Sequence, residues 1–216
     1  AAYTGRTVVR NVDWSRRDLF YSAMVRDNPK GAKGHYGLGT VLVYNSATEE
    51  KGIFHLEEAS RLNPRYYESL SDLAAFYHHK GDYSRAQPLF ERALSIQPEL
   101  SSALSNMGLN HLALGDFESA FMVYDEAVEM FPDSADFYNN MGQALIGLNM
   151  VEDALDAYRN IITLRPSEAR SYQLYGLAAG RAGRQEESEM YFRNALRIEP
   201  TSVDSLNNLG VSLMNQ

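Results

Sequence analysis

From residue 67 to residue 202 the apolar and small side chains of this chain return on a fixed beat. With Ser101 as position 1, Leu104 stands at 4, Met107 at 7, Gly108 at 8, Ala120 at 20, Tyr124 at 24, Ala127 at 27 and Pro132 at 32. The next stretch places Tyr138, Met141, Gly142, Ala154, Tyr158, Ile161 and Pro166 at the same positions, and the one after it Tyr172, Tyr175, Gly176, Ser188, Phe192, Ala195 and Pro200. Upstream, Leu70, Leu73, Ala74, Ala86, Phe90, Ala93 and Pro98 fit without a gap. Each stretch predicts two helices, A and B. The small residues at 8 and 20 mark a close crossing, since only a small side chain lets two helix backbones approach. The aromatic at 24 is expected to fill the hollow between one repeat and the next. The proline at 32 stops helix B, because it cannot continue a helix and pushes its predecessor to extended geometry. Gly81-Asp82 and Gly115-Asp116 predict a left-handed turn followed by an N-cap.

Six of the seven prolines (Pro29, Pro64, Pro98, Pro132, Pro166 and Pro200) are spaced by 35, 34, 34, 34 and 34 residues. The expected elements are a lone helix B near 12–27, five helix pairs from 32 to 202, and a helix A near 203–214. The corresponding segments are 1–31, then 32–66, 67–100, 101–134, 135–168 and 169–202, and finally 203–216. A period of 34 with small, aromatic and proline residues at these offsets resembles the tetratricopeptide repeat (TPR) over about residues 12–214. The resemblance implies an all-α TPR solenoid, a right-handed superhelix of antiparallel helix pairs with a half repeat at each end. It also implies a non-catalytic, protein-binding role. The ending NNLGVSLMNQ restarts the phrase NNMGQALIGLN of 139–149. Val203, Leu206, Leu209 and Leu213 stand there at core spacing with no helix B to follow. The chain therefore reads as a piece of a larger parent, with an apolar end open to self-association.

Repeat one departs from the pattern. It has one extra residue in YNSATEEKG, Gly52 where Ala is usual, and glycines at 31, 34, 37 and 39. That run lacks the lysine and the preceding strand of a phosphate loop, and it predicts a loosely packed helix. Pro88 falls early in its helix B, where a proline is tolerated.

Composition narrows the chemistry. Of 216 residues 44% are apolar, 22% are charged and the net charge is -8. Such a balance argues against nucleic acid. There is no cysteine, which removes disulfides and thiol chemistry. No apolar run reaches the eighteen or so residues of a membrane helix. The chain starts at Ala1, so it is processed or cut from something longer. His78-His79 lacks a third ligand at helical spacing and reads as a solvated helix end, while His111 at position 11 reads as a packed core residue. The glutamate pairs at 49–50, 57–58 and 186–187 read as solvated surface. No nucleophile elbow, zinc motif, Rossmann or Walker fingerprint occurs, so neither an enzyme nor a cofactor or metal site is expected.

Positions 2, 5, 6, 9 and 13 of helix A are expected on the inner wall of such a superhelix. Position 6 carries Asp72, Asn106, Asn140, Leu174 and Asn208, and position 5 carries Tyr36, Ser71, Ser105, Asn139, Gln173 and Asn207. Gln143 stands at position 9, and Arg170 and Arg181 are the basic residues of this wall in the later repeats. Asparagine offers a donor and an acceptor, so a row of them can pair with both polar groups of an extended backbone. This ladder is similar to the one lining the repeat groove of O-GlcNAc transferases, where it holds acceptor polypeptides with little sequence preference. Asp72 and Leu174 interrupt it. The candidate groove residues are thus Tyr36, Asp72, Asn106, Asn139, Asn140, Gln143, Gln173, Asn207 and Asn208, and the expected partner is an extended protein segment.

The entry stretch RTVVRNVDWSRRDLFYSAMVRDNPKGAKGHYGLG is more distinctive. Through Arg6, Thr7, Arg10, Asn11, Asp13, Trp14, Leu19 and Ala23 it resembles the start of the TPR region in transmembrane and TPR-containing protein O-mannosyltransferases and similarly built bacterial membrane proteins. That resemblance implies a substrate-presenting part of a membrane glycosyltransferase, on the lumenal or extracytoplasmic side. Trp14 would then cap the first repeat. The family's catalytic residues lie in membrane loops that have no counterpart in this sequence. The alternative reading is a TPR assembly scaffold or co-chaperone unrelated to glycosylation, cytoplasmic in that case.

Overall fold

A computed structural model describes residues 16–214, and every regular element among them is an α-helix. There are twelve: α1 (Arg17–Asp27), α2 (Ala32–Leu42), α3 (Glu49–Leu62), α4 (Tyr67–His79), α5 (Tyr83–Ile96), α6 (Ser101–Leu114), α7 (Phe117–Met130), α8 (Ala135–Gly147), α9 (Val151–Leu164), α10 (Ala169–Arg181), α11 (Gln185–Ile198) and α12 (Val203–Met214). The entry residues Arg6, Thr7, Arg10, Asn11, Asp13 and Trp14 lie outside the described residues.

The turns follow local chemistry. Gly81, Gly115 and Gly183 have φ of 77°, 74° and 75°, and Asn149 takes φ 60° at the equivalent turn. Glycine and asparagine tolerate that left-handed conformation best. The carboxylates of Asp82 and Asp116 then accept the backbone N–H of Arg85 and Ser119, capping α5 and α7. At the other end, the residue before each repeat-closing proline (Asn63, Gln97, Phe131, Arg165, Glu199) leaves the helical basin at φ near −130°. The proline ring disfavours helical ψ there. Pro88 sits sixth in α5, one turn deeper than expected, and both it and Ser84, whose carbonyl loses its helical donor, are solvent-exposed.

The chain divides between Asn110 and His111 into two compact units. In the first, Val43, Leu56, Leu73, Ala74, Phe76, Tyr77, Ala86, Phe90 and Ala103 form the core. In the second, Leu145, Ala154, Leu155, Tyr158, Ile161, Tyr175 and Ala179 are its centre.

One packing expectation is corrected and another is extended. The glycine-rich α2 is not loosely packed. A Cβ on Gly37 would lie 2.1 Å from Tyr21 Cε1, one on Gly39 2.7 Å from Leu56 Cγ, and one on Gly52 2.4 Å from the Val43 backbone. The missing side chains let α2 press against α1 on one side and α3 on the other. The aromatic at position 24 reaches the next repeat as expected, Tyr124 meeting Asn140 and, at 6.3 Å between ring centroids, Phe137, and it also has a partner within its own repeat. A Cβ on Gly142 would lie 2.5 Å from Tyr158 Cε1, and one on Gly176 2.9 Å from Phe192 Cε1. Each ring fills the recess left by the glycine of its own repeat, with the buried small residue at 20 one turn away.

Candidate peptide-binding surface

In the unit up to Asn110, Tyr36 and Asp72 are committed to each other. The Tyr36 hydroxyl donates to Asp72 Oδ2 at 2.9 Å, and its ring lies 5.0 Å from that of Tyr66. Burial pushes the Asp72 carboxyl up from its ordinary range, partly offset by the Tyr36 hydrogen bond, and burial likewise pushes the Tyr36 hydroxyl up. An aspartate whose pKa is raised on folding favours the protonated folded state, so its unfavourable contribution grows as pH rises from the ordinary aspartate value to the raised one and is fully present above it. Asp72→Asn keeps the acceptor and removes the charge. It is expected to melt higher than the parent at pH 7, with the difference vanishing below the ordinary aspartate range. A melting series across pH checks this. Asn106 is half-buried and makes no side-chain hydrogen bond among the described residues.

Sequence reasoning missed the polar centre of this unit. Asn110 is fully buried, and its Nδ2 donates to the Tyr83 carbonyl at 3.2 Å and to Gln87 Oε1 at 3.0 Å. Its Oδ1 is therefore the acceptor for His78 Nδ1 at 3.2 Å. His78 is half-buried and hydrogen-bonded, not a solvated helix end as expected, because α4 delivers it to Asn110. A polar residue at the otherwise small or apolar position 10 was the available signal. His35 and His55 form a second missed pair, Nδ1 to Nδ1 at 3.0 Å, with His35 Nε2 3.1 Å from the Pro29 carbonyl.

The unit from His111 onward holds the remaining candidates. Asn140 does not face solvent. It is 8% exposed, its Oδ1 accepts from Asn139 Nδ2 at 3.0 Å and Gln143 Nε2 at 3.5 Å, and it is hydrogen-bonded to the buried Tyr124 hydroxyl. Asn139 is half-buried, and its Oδ1 is buried without a partner. Gln173 is engaged internally, donating to Ser202 Oγ at 3.0 Å and Ser205 Oγ at 2.7 Å. Gln143 and Asn207 are exposed and Asn208 is half-exposed. Asn140→Ala should therefore cost about 1–3 kcal/mol by stranding buried polar groups. Asn208→Ala should leave the melting temperature within error, a contrast that thermal melts resolve.

Two adjoining cavities collect the free groups. One of about 450 Å³ is lined by Phe117, Gln143, Ile146, Tyr158, Leu174 and Leu177. The other, about 200 Å³, is lined by Leu177, Phe192, Asn208 and Val211 among others. Leu177 and Arg181 belong to both. Gln143, Leu177 and Val211 are at position 9 of α8, α10 and α12, and Arg181 is at position 13 of α10. The wall is thus an alternation of apolar and amide groups rather than an unbroken asparagine ladder. Burial pushes the Tyr158 hydroxyl up to about 12, and the positive charges of Arg181 and then Arg170 pull it back.

Tandem helix pairs with a 34-residue period, closed by small-on-aromatic crossings, define the tetratricopeptide repeat class. The family models for the tetratricopeptide repeat match residues 65–133 and, in two overlapping copies, 105–169 and 139–203, more than half of the chain. The chain belongs to this family. Among solved structures it is similar to YrrB, described as a TPR protein with an unusual peptide-binding site, at TM-score 0.73 and 19% identity over 87% of this chain and 96% of that one. It is similar to MamA residues 41-end from Desulfovibrio magneticus RS-1, at TM-score 0.71 and 22% identity over 80% and 97%. A thermophilic TPR protein of Thermus thermophilus, TTC0263, aligns at TM-score 0.58 and 18% identity over 85% and 100%. These identities carry the fold alone. No curated protein matches the sequence. TPR proteins are generally non-catalytic interaction modules, and no described helix is long and apolar enough to cross a membrane.

Proposed function

We propose that this chain binds an extended segment of a partner protein along the wall formed by α8, α10 and α12. The observation that carries the reading is the pair of open cavities joined at Leu177 and Arg181, with the Gln143 and Asn208 amides beside an apolar floor. Apolar recesses take alternate side chains of an extended strand, and the amides can bond its backbone. YrrB, with its unusual peptide-binding site, offers a precedent on a similar fold. The entry stretch supports a finer placement. Its likeness to the transmembrane and TPR-containing protein O-mannosyltransferases suggests a module that presents Ser/Thr-containing acceptor segments to a membrane glycosyltransferase within a longer parent protein.

The test is a titration of a fluorescein-labelled, end-capped peptide containing Leu-Ser-Asn-Ser-Leu. Gln143→Ala with Asn208→Ala removes two amides worth roughly 0.5–1.5 kcal/mol each. Affinity should fall by about tenfold while helicity, followed by circular dichroism, is unchanged. Equal affinity in parent and double variant at equal helicity would move the binding surface elsewhere.

A further inference from the structure

The wall carries a charge that its neighbours leave unmatched. This protein has 28 acidic and 20 basic residues, yet none of the residues lining either cavity is Asp or Glu. Arg181 is exposed, lies on the rim common to both, and makes no salt bridge or side-chain hydrogen bond among the described residues. Of the other arginines of this unit, Arg159, Arg165, Arg184 and Arg193 each lie within ion-pair distance of a carboxylate, while Arg170 and Arg197 do not among the described residues. The second cation near this wall, Arg170, adds to the positive potential felt at the Tyr158 hydroxyl. A guanidinium with no carboxylate among its neighbours attracts a partner's carboxylate, because it presents paired N–H donors in a fixed fork.

The position of the charge says more than its sign. A cavity opens on each side of Arg181, one toward Ile146 and Leu174, the other toward Phe192 and Val211. A chain ending at Arg181 would fill one and leave the other empty. A chain passing over Arg181 fills both. In an extended strand residues i−2, i and i+2 share a face and succeed one another by about 6.6 Å. An acidic residue at i would then meet Arg181 while apolar side chains at i−2 and i+2 enter the two recesses.

We infer that the wall of α8, α10 and α12 selects an internal acidic residue flanked by apolar ones, in the order apolar–x–acidic–x–apolar, on the partner segment. This rests on the peptide-binding reading above and names the chemistry that the wall prefers. Three fluorescein-labelled peptides test it in the intact chain. One, capped at both ends, contains Leu-Ser-Asp-Ser-Leu; the second has Asn for Asp; the third ends in Leu-Ser-Leu with a free C-terminal carboxylate. The Asp peptide should bind about tenfold more tightly than the other two, and its advantage should shrink as salt is raised. Arg181→Gln should weaken the Asp peptide by about tenfold, and Arg92→Gln, in the other unit, should not. Equal binding of the Asp and Asn peptides would overturn the acidic preference and leave peptide binding standing. A tighter third peptide would replace an internal carboxylate by a terminal one and equally overturn the inference. If none of the three binds, the peptide-binding reading itself falls, and this inference with it.

Discussion

Gly142→Ala is expected to melt well below the parent protein, while Gly210→Ala, at the same position of its own repeat, melts at or above it. The added Cβ at Gly142 would stand 2.5 Å from Tyr158 Cε1 and 2.6 Å from Cζ. Tyr158 is buried in the core of its unit with Leu155, Ile161 and Tyr175, so displacing its ring disturbs several packed neighbours at once. Overpacking of that kind costs about 1–3 kcal/mol, and Gly142→Leu should cost more. At Gly210 nothing lies within 4 Å of the new Cβ. There the substitution acts only through helix propensity, which favours alanine by up to about 1 kcal/mol. Thermal melts followed by circular dichroism give both numbers. Shifts of the same sign would mean that position 8 is not where the aromatic of helix B seats.

The opposite signs show what the repeat pattern can and cannot tell. The prolines at 34-residue steps, the Gly-Asp turns and the small-aromatic-small spacing state local rules of chain geometry. Each is obeyed wherever it occurs, so the helices and their ends were legible. The burial of particular polar residues depends on what a different helix brings opposite them. Asn106 and Asn140 are identical in repeat position, yet Asn140 is buried against Tyr124 and Asn106 is not so bonded. Each stands sixteen residues after the aromatic of the preceding helix B. For Asn140 that aromatic is Tyr124, with a hydroxyl to share; for Asn106 it is Phe90, which has none. Reading the asparagines of position 6 as equivalent groove amides ignored this pairing. The glycines of α2 misled for a related reason. Composition reports a low helix propensity, but only the approach of Tyr21 and Leu56 shows that the backbone is tightly held. Arg181 was legible as a basic residue of the wall, but the carboxylate-free lining around it was not.

The protein is further expected to self-associate through α12, with a mass that rises with concentration and levels off at twice that of the monomer. Leu206 and Leu213, at positions 4 and 11 of their helix, are 51% and 45% exposed. Their counterparts Leu104 and Leu145 are 3% and 2% exposed. Val203 and Met214 extend the same exposed apolar surface. Water in contact with so continuous a patch is displaced at a gain of roughly 25 cal/mol for each Å² covered. Two copies can cover it by laying one α12 against the other. Such a contact uses the same patch on both partners and closes on itself, which is why the expected end point is a dimer rather than a growing chain. Leu206→Glu with Leu213→Glu places four carboxylates in that contact and should hold the protein monomeric. Neither side chain is part of a buried core, so the double variant should melt close to the parent. Light scattering across a concentration series measures the masses. A parent that stays monomeric at every concentration would show that α12 is not a contact between copies. A variant that dimerises as the parent does would move the contact to another face.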